Sequence, residues 1–299
     1  MTMKWMSAWL LALCLPFAAT AAPADGGAGE QLVTMRLAGT LTVNTEGRVD
    51  DYHIRTKMPA PVKALLDKAI PAWRFEPVLV EGKAVRAQSP MRIVVAAIED
   101  GDTYRLRIDN VLFRANTPEE YAAEARAQAE DGVLIKSKHL APPSYPKRLL
   151  NAGIEGIALM LVRVAPDGSV ADAIVSQSNL LNAGGLRTSD LDRLRGVMER
   201  SALAAARAWR FSIDLQPGAQ PPDKQTISVP IHFLINRTAE DEFAGTWRRE
   251  YRSPLREAPW LAKGKDEEVV GVSDLVNGEM LSGNPTLRLL NREQTVGAP

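Results

Sequence analysis

Trp73-Arg74-Phe75 recurs as Trp209-Arg210-Phe211, and the two copies decide the fold. Each tripeptide closes a segment whose apolar residues fall at helical spacing. Before the first, Val62, Leu65, Leu66, Ala69 and Ile70 share a stripe with Trp73, and Pro61 suits the first turn of a helix. Before the second, Leu191, Leu194, Val197, Met198, Ala202 and Ala205 share a face with Trp209, and Asp190 is placed to cap the helix. A Trp and a Phe leaving a helix can plug the space between it and a sheet. Both tryptophans therefore read as core residues rather than as stacking surfaces for a ligand.

Strands are expected on either side of each helix. Val33, Met35, Leu37, Leu41 and Val43 alternate with Thr34, Arg36, Thr40 and Thr42, the period of a half-buried strand. Asn44 to Gly47 makes a turn, and Arg48 to Thr56 returns. After the helix, Glu81-Gly82-Lys83 turns the chain, Met91 to Ile98 is a strand, and Asp100-Gly101 opens a hairpin into Tyr104 to Phe113. The order repeats downstream. Ile157 to Val164 is a strand, Ala165 to Gly168 a turn, Ser169 to Ser176 the return strand, and Gln225 to Asn236 the strand after the second helix. Gly47-Arg48-Val49 and Gly168-Ser169-Val170 match at the two turns, as the tripeptides match at the two helix ends. Two matches in the same order favour duplication over chance. The second copy is longer because Asn179 to Ser189 reads as a loop inserted before its helix.

The fold class expected is α+β: two tandem ββαβ modules, each an antiparallel sheet with one helix packed on a face. Residues 31–113 form the first module, 114–138 a helical spacer opened by Thr117-Pro118-Glu119-Glu120, 139–237 the second module, and 238–299 an irregular or disordered tail. Residues 1–22 read as a cleaved signal peptide, with Lys4, an apolar stretch from Leu10 to Leu15, and Ala19-Thr20-Ala21 for the peptidase. This places the mature chain in the periplasm; the alternative is an uncleaved anchor in the inner membrane. Cys14, the single cysteine, lies inside that segment, so packing rather than disulfides must hold the mature chain together.

Composition and motifs narrow the function. Lys+Arg and Asp+Glu are balanced at 36 each in the 299 residues, without the basic surplus of a nucleic-acid binder. The histidines His53, His139 and His232 have no metal-ligand spacing, no Gly-x-Ser-x-Gly elbow occurs, and Ala183-Gly184-Gly185 lacks the Lys-Ser/Thr of a phosphate loop. Asp50 and Asp51 face opposite sides of a strand. No catalytic residue, cofactor or metal ligand is assigned, and the chain reads as a non-enzyme.

Five segments in order carry a resemblance: Pro143-Ser144-Tyr145-Pro146, Gly153-Ile154-Glu155-Gly156, Pro166-Asp167-Gly168-Ser169-Val170, Ala208-Trp209-Arg210-Phe211 and Val229-Pro230-Ile231-His232-Phe233. Over about a hundred residues they resemble the C-terminal domain of the TonB energy-transducer family, with the first copy a diverged relative. The resemblance implies a protein-binding module associated with outer-membrane transport. Such a module captures a short receptor segment as an added strand, which an open sheet edge permits because its N–H and C=O groups are unpaired. It implies that Pro143, Tyr145 and Pro146 contact the partner, and that Thr226, Ser228, Val229 and Phe233 lie on the edge strand. The partner is then an outer-membrane receptor segment or another envelope protein, with self-association through sheet edges also open. The sequence lacks the proline-rich spacer and the polar anchor residue of a full transducer. The alternative function is an envelope scaffold or peptidoglycan-contacting protein with no transport role. Packed edge to edge, the two modules would mask one another's strands.

Overall fold

The computed structural model describes residues 29–115, 120, 133–215, 225–235, 244–261, 270–274, 280–281 and 287–292. The signal segment and the expected helix start at Thr117 lie outside these residues.

Alternation makes β1 (Glu30–Val43) a two-faced strand, with Met35, Leu37, Leu41 and Val43 on one face and Thr34, Arg36 and Thr42 on the other. It turns at Gly47 into β2 (Val49–Ile54), and the chain then enters α1 (Ala60–Ala69), extended by a 3-10 turn at Ile70–Ala72. A short hairpin, β3 (Leu79–Val80) and β4 (Lys83–Ala84), precedes the long pair β5 (Ala87–Asp100) and β6 (Thr103–Leu112). Pairing of β1 with β5 runs from Val33 opposite Ala97 to Val43 opposite Ala87, while β2 takes the last part of the other edge of β1.

The downstream half has the same plan. After β7 (Val133–His139) and α2 (Lys147–Ala152), β8 (Glu155–Val164) and β9 (Val170–Leu181) form a hairpin. Then come α3 (Thr188–Ala206), β10 (Arg210–Leu215) and β11 (Gln225–Phe233). β8 is the middle strand between β9 and β11, as β1 is between β2 and β5. β10 pairs with β7 in a separate two-stranded sheet.

The two halves share one sheet of eight strands, ordered β11-β8-β9-β12-β1-β5-β6, with β2 alongside β1. The joining strand is β12 (Arg248–Arg252), which pairs with Glu30–Thr34 of β1 on one side and with Asn179–Leu181 of β9 on the other. The junction is therefore an inserted strand and not the direct edge-to-edge contact anticipated for two modules.

One face of the sheet is covered by the helices. Val62, Leu66 and Ile70, followed by Trp73 and Phe75, pack on Met35, Leu37, Leu41, Ile93 and Val95. Leu191, Met198, Ala202 and Ala206 of α3, with Trp209 and Phe211, pack on Ala158, Met160, Val162, Val175 and Ile231. Both tryptophans are core residues, 1% and 2% exposed. Burying such clusters is the main favourable term in folding, about 25 cal/mol per Å² of apolar surface removed from water.

Three sequence expectations are corrected. Residues 133–138, assigned to a helical spacer, belong to β7; Glu120 is helical as expected. Asn179 to Leu181 are not loop but the end of β9, which continues past an irregularity beside Ser176. Asn179 suggested a loop because its polar side chain serves a buried polar network. α3 begins at Thr188, before Asp190, which sits in its first turn. The tail is also structured in part: it supplies β12, a buried 3-10 turn at Val272–Asp274, and Leu287 and Leu289, which join the core under α1.

Candidate functional site

β11 is the terminal strand of the sheet, paired on one side with β8 from Gln225 opposite Val164 to Phe233 opposite Gly156. Ile227, Val229, Ile231 and Phe233 turn into the core under α3. Thr226, Ser228, Pro230 and His232 therefore lie on the opposite face, because side chains alternate along a strand. Val229 and Phe233, placed above on the edge strand among the protein-binding residues, are 5% and 2% exposed, so their side chains hold the strand in place.

The outer edge of β11 already holds a strand-like contact. The N–H of Ser228 donates to the carbonyl of Leu281 over 2.9 Å, and the N–H of Leu281 returns the bond to Ser228 over 2.9 Å. A reciprocal pair of this kind is the closed unit of an antiparallel ladder. Ser228 thus directs both backbone groups away from β8, and alternation gives Thr226, Pro230 and His232 the same outward direction. Pro230 has no N–H, which suits an edge position and would interrupt a central one. The side chain of Leu281 is buried with Ile157, Leu159, Leu181, Leu112 and Val272, and Met280 packs against the core under α3. Beside this pair, the indole Nε1 of Trp260 donates to Thr226 Oγ1 over 2.9 Å, and the Arg163 guanidinium lies 5.3 Å from the same indole ring.

The approach segment is tied to this strand at its far end. The ring of Tyr145 meets Phe233 edge to face at 5.8 Å, and its hydroxyl donates to the carbonyl of Ile154 over 2.8 Å. Burial, then the nearby charge of Glu155, pushes the Tyr145 hydroxyl up to about 12. Pro146 stands at the N-terminus of α2, which ends in Gly153 at φ 64°, a conformation glycine adopts without strain. Ser201 donates to the carbonyl of Ser144 over 2.6 Å, and Trp209 Nε1 donates to the carbonyl of Ala141 over 2.9 Å. The fold thus brings Tyr145 and Phe233 into contact. Ser228 lies about 17 Å further along β11, five residues at strand rise.

Upstream of Leu281, residues 270–274 of the tail sit in a polar dock on the back of the sheet. Asp274 is buried, its carboxylate accepting from the N–H of Gly271 over 2.6 Å and from Asn110, while Arg92 donates to its carbonyl over 2.6 Å. Burial pushes Asp274 up to about 7, against the pull of these donors and of Arg92 and with the push of Asp109. Gln177 accepts from the N–H of Val272 over 2.8 Å, and Ser273 donates to Glu250. Burial alone would raise Glu250, but Arg248, the Ser273 hydroxyl and Arg252 outweigh it and hold the carboxyl at about 2. Glu250 also accepts from Thr34 over 2.9 Å and from Asn179 over 3.0 Å, so one carboxylate of β12 satisfies partners in β1, β9 and the tail.

Among the described residues, no group of three or more His, Cys, Asp or Glu is placed to hold a metal ion, and no helix is long and apolar enough to cross a membrane. Burial, with Arg248 and Arg36 nearby, lowers His232 to about 4, so its imidazole is neutral at neutral pH. Sequence reasoning missed Leu281, Trp260 and Asp274 as parts of the site. They stand in a tail without periodicity, where single anchoring residues leave no pattern to detect.

Fold and site together define an α+β protein with a terminal antiparallel strand. No family model matches the chain. Two curated proteins, both described as Protein TonB and coming from two strains of Xanthomonas campestris pv. campestris, are each 32% identical to it over 104 residues. The matched part is 35% of this chain and 40% of each relative, so the chain spans about two fifths of the length of the relatives it matches. The similarity supports a TonB-like domain within the chain.

Proposed function

We propose that this chain is a periplasmic protein-binding module of the TonB C-terminal type, serving outer-membrane transport by taking a partner's extended segment as an added strand on β11. The observation that carries the reading is the reciprocal pair between Ser228 and Leu281: the outward backbone groups of this edge pair with a residue from outside the ladder. Edge addition recruits main-chain hydrogen bonds for affinity and alternate side chains for specificity. The two halves are read as tandem ββαβ modules on the strength of the shared middle-strand plan and the repeated Trp-Arg-Phe. Only the second keeps an outer edge on its last strand, because β6 covers the corresponding edge of β5. Tyr145, Pro143 and Pro146 set the path by which the chain reaches this sheet, and Tyr145 supports β11 through Phe233.

The test is calorimetric titration of the full chain, and of a Leu281→Pro variant, with a synthetic TonB-box segment of an outer-membrane receptor. The reading requires saturable binding that Ser228→Pro abolishes by removing the outward donor, and that Tyr145→Ala weakens. Absence of binding to both wild type and Leu281→Pro would count against it. The scaffold alternative is favoured by one observation: β12 merges both halves into a continuous sheet. Co-sedimentation with purified cell wall, in the absence of any receptor-segment binding, is the result that would select it.

A further inference from the structure

Leu281 does two things at once on β11. Its backbone completes a closed pair with Ser228, and its side chain, 6% exposed, fills an apolar niche with Ile157, Leu159 and Leu181 of the strands and Val272 of the tail. Of the neighbouring outward positions, Pro230 offers no donor, so no complete pair can form there, while Thr226 bonds the Trp260 indole through its side chain. A strand laid on this edge in the register of Leu281 makes a complete pair at Ser228, and the residue facing Ser228 enters the niche. An aliphatic side chain gains there from burial, whereas a charged one would lose its hydration without a partner.

The position of Leu281 is itself held from a distance. Seven residues upstream, Asp274 is locked into its dock by Gly271, Asn110 and Arg92, a fixed point on the back of the sheet. Tethering raises the effective concentration of Leu281 at the edge far above that of any free peptide of equal intrinsic affinity.

We infer that Leu281 occupies the β11 edge in cis as the stand-in for a partner's strand, so that a partner must displace it and must itself place an aliphatic residue opposite Ser228. This inference rests on the reading of β11 as the strand-addition edge. It adds that the edge is self-occupied at rest and that one register position selects the partner.

Two arms test it on the full chain. In the first, amide exchange at Ser228 is compared between wild type, Leu281→Pro and Leu281→Asp, with Leu37 in β1 as the check that the fold is intact. Exchange at Ser228 is expected to quicken roughly tenfold or more in Leu281→Pro, which loses the returning N–H as well as the leucine, and to a smaller degree in Leu281→Asp. Unchanged exchange with Leu37 still protected would overturn the inference. In the second arm, a fluorescent peptide of residues 278–284 of this chain is titrated into wild type and Leu281→Pro. Binding should be about tenfold or more tighter to Leu281→Pro, and a peptide carrying Leu281→Asp should bind at least about tenfold more weakly. Equal affinity for the two proteins, equal affinity of the two peptides, or no binding at all would overturn it. If this peptide binds Leu281→Pro while receptor segments do not, the occupancy stands and the transport reading fails.

Discussion

The N–H of Phe211 donates to the carbonyl oxygen of Gly168 over 2.8 Å, fastening the residue that leaves α3 to the turn between β8 and β9. Phe75 makes the same bond to Gly47 over 2.8 Å in the other half. The two glycines have φ of 78° and 73°, and a Cβ added at either would collide with the carbonyl oxygen of the phenylalanine it holds. The repeated turn glycine and the repeated Trp-Arg-Phe are thus two ends of one device, which locks helix exit to hairpin. Gly168→Ala and Gly47→Ala should each cost on the order of 2 kcal/mol or more, from left-handed strain plus the clash. Urea unfolding of each variant checks this; a loss below about 0.5 kcal/mol would show that the turns yield freely.

The two tryptophans occupy matching places with different polar fates. Trp209 Nε1 donates to the carbonyl of Ala141, whereas Trp73 Nε1 is buried with no hydrogen-bond partner among the described residues. Trp→Phe removes similar volume at both sites, so the difference isolates the indole bond. Trp209→Phe should be the more destabilising by roughly 1–2 kcal/mol. Equal losses in parallel unfolding curves would mean that the tie between α3 and the approach segment contributes nothing.

Asp274 makes the tail dock respond to pH. Its carboxyl titrates near 7 in the folded chain and at 3.8 ordinarily, so the folded state holds the proton more tightly. This contribution to stability is complete below about pH 4 and is lost as pH rises to about 7. His232, lowered to about 4, has the opposite slope between about pH 4 and 6.5, so total stability conceals the effect. The quantity to read is the stability of Asp274→Asn relative to wild type, which should rise with pH across about 4 to 7 and then level off. A flat difference would place the Asp274 charge elsewhere. Glu250, held at about 2, contributes stability that is lost only as pH falls below its ordinary 4.5 toward 2.

Periodicity made the two cores legible from sequence. Met35, Leu37 and Leu41 on β1, Leu191 and Met198 on α3, and both tryptophans stand where alternation and helical spacing put them, because burial on one face writes a period into the chain. The back of the sheet wrote no such period. Asn179 reads as the start of a loop because its polar side chain serves Glu250, beside Gln177, which donates to the carbonyl of Ser253. β12 was invisible for the same reason. Arg248, Glu250 and Arg252 form ion pairs within the sheet, and a run of charges resembles a solvated surface until its partners are known. The edge of β11 was found from resemblance, but its occupant was not, since Leu281 is one aliphatic residue in an aperiodic tail.

Amide exchange at Ser228 in full-length Leu281→Pro, with and without a synthetic receptor segment, tests strand addition most directly. Ser228 should exchange fast in the free variant and become protected once the segment is bound, while Ile227, which faces β8, stays protected throughout. Protection that fails to appear at Ser228 while the segment binds elsewhere on the chain would contradict β11 as the capturing edge.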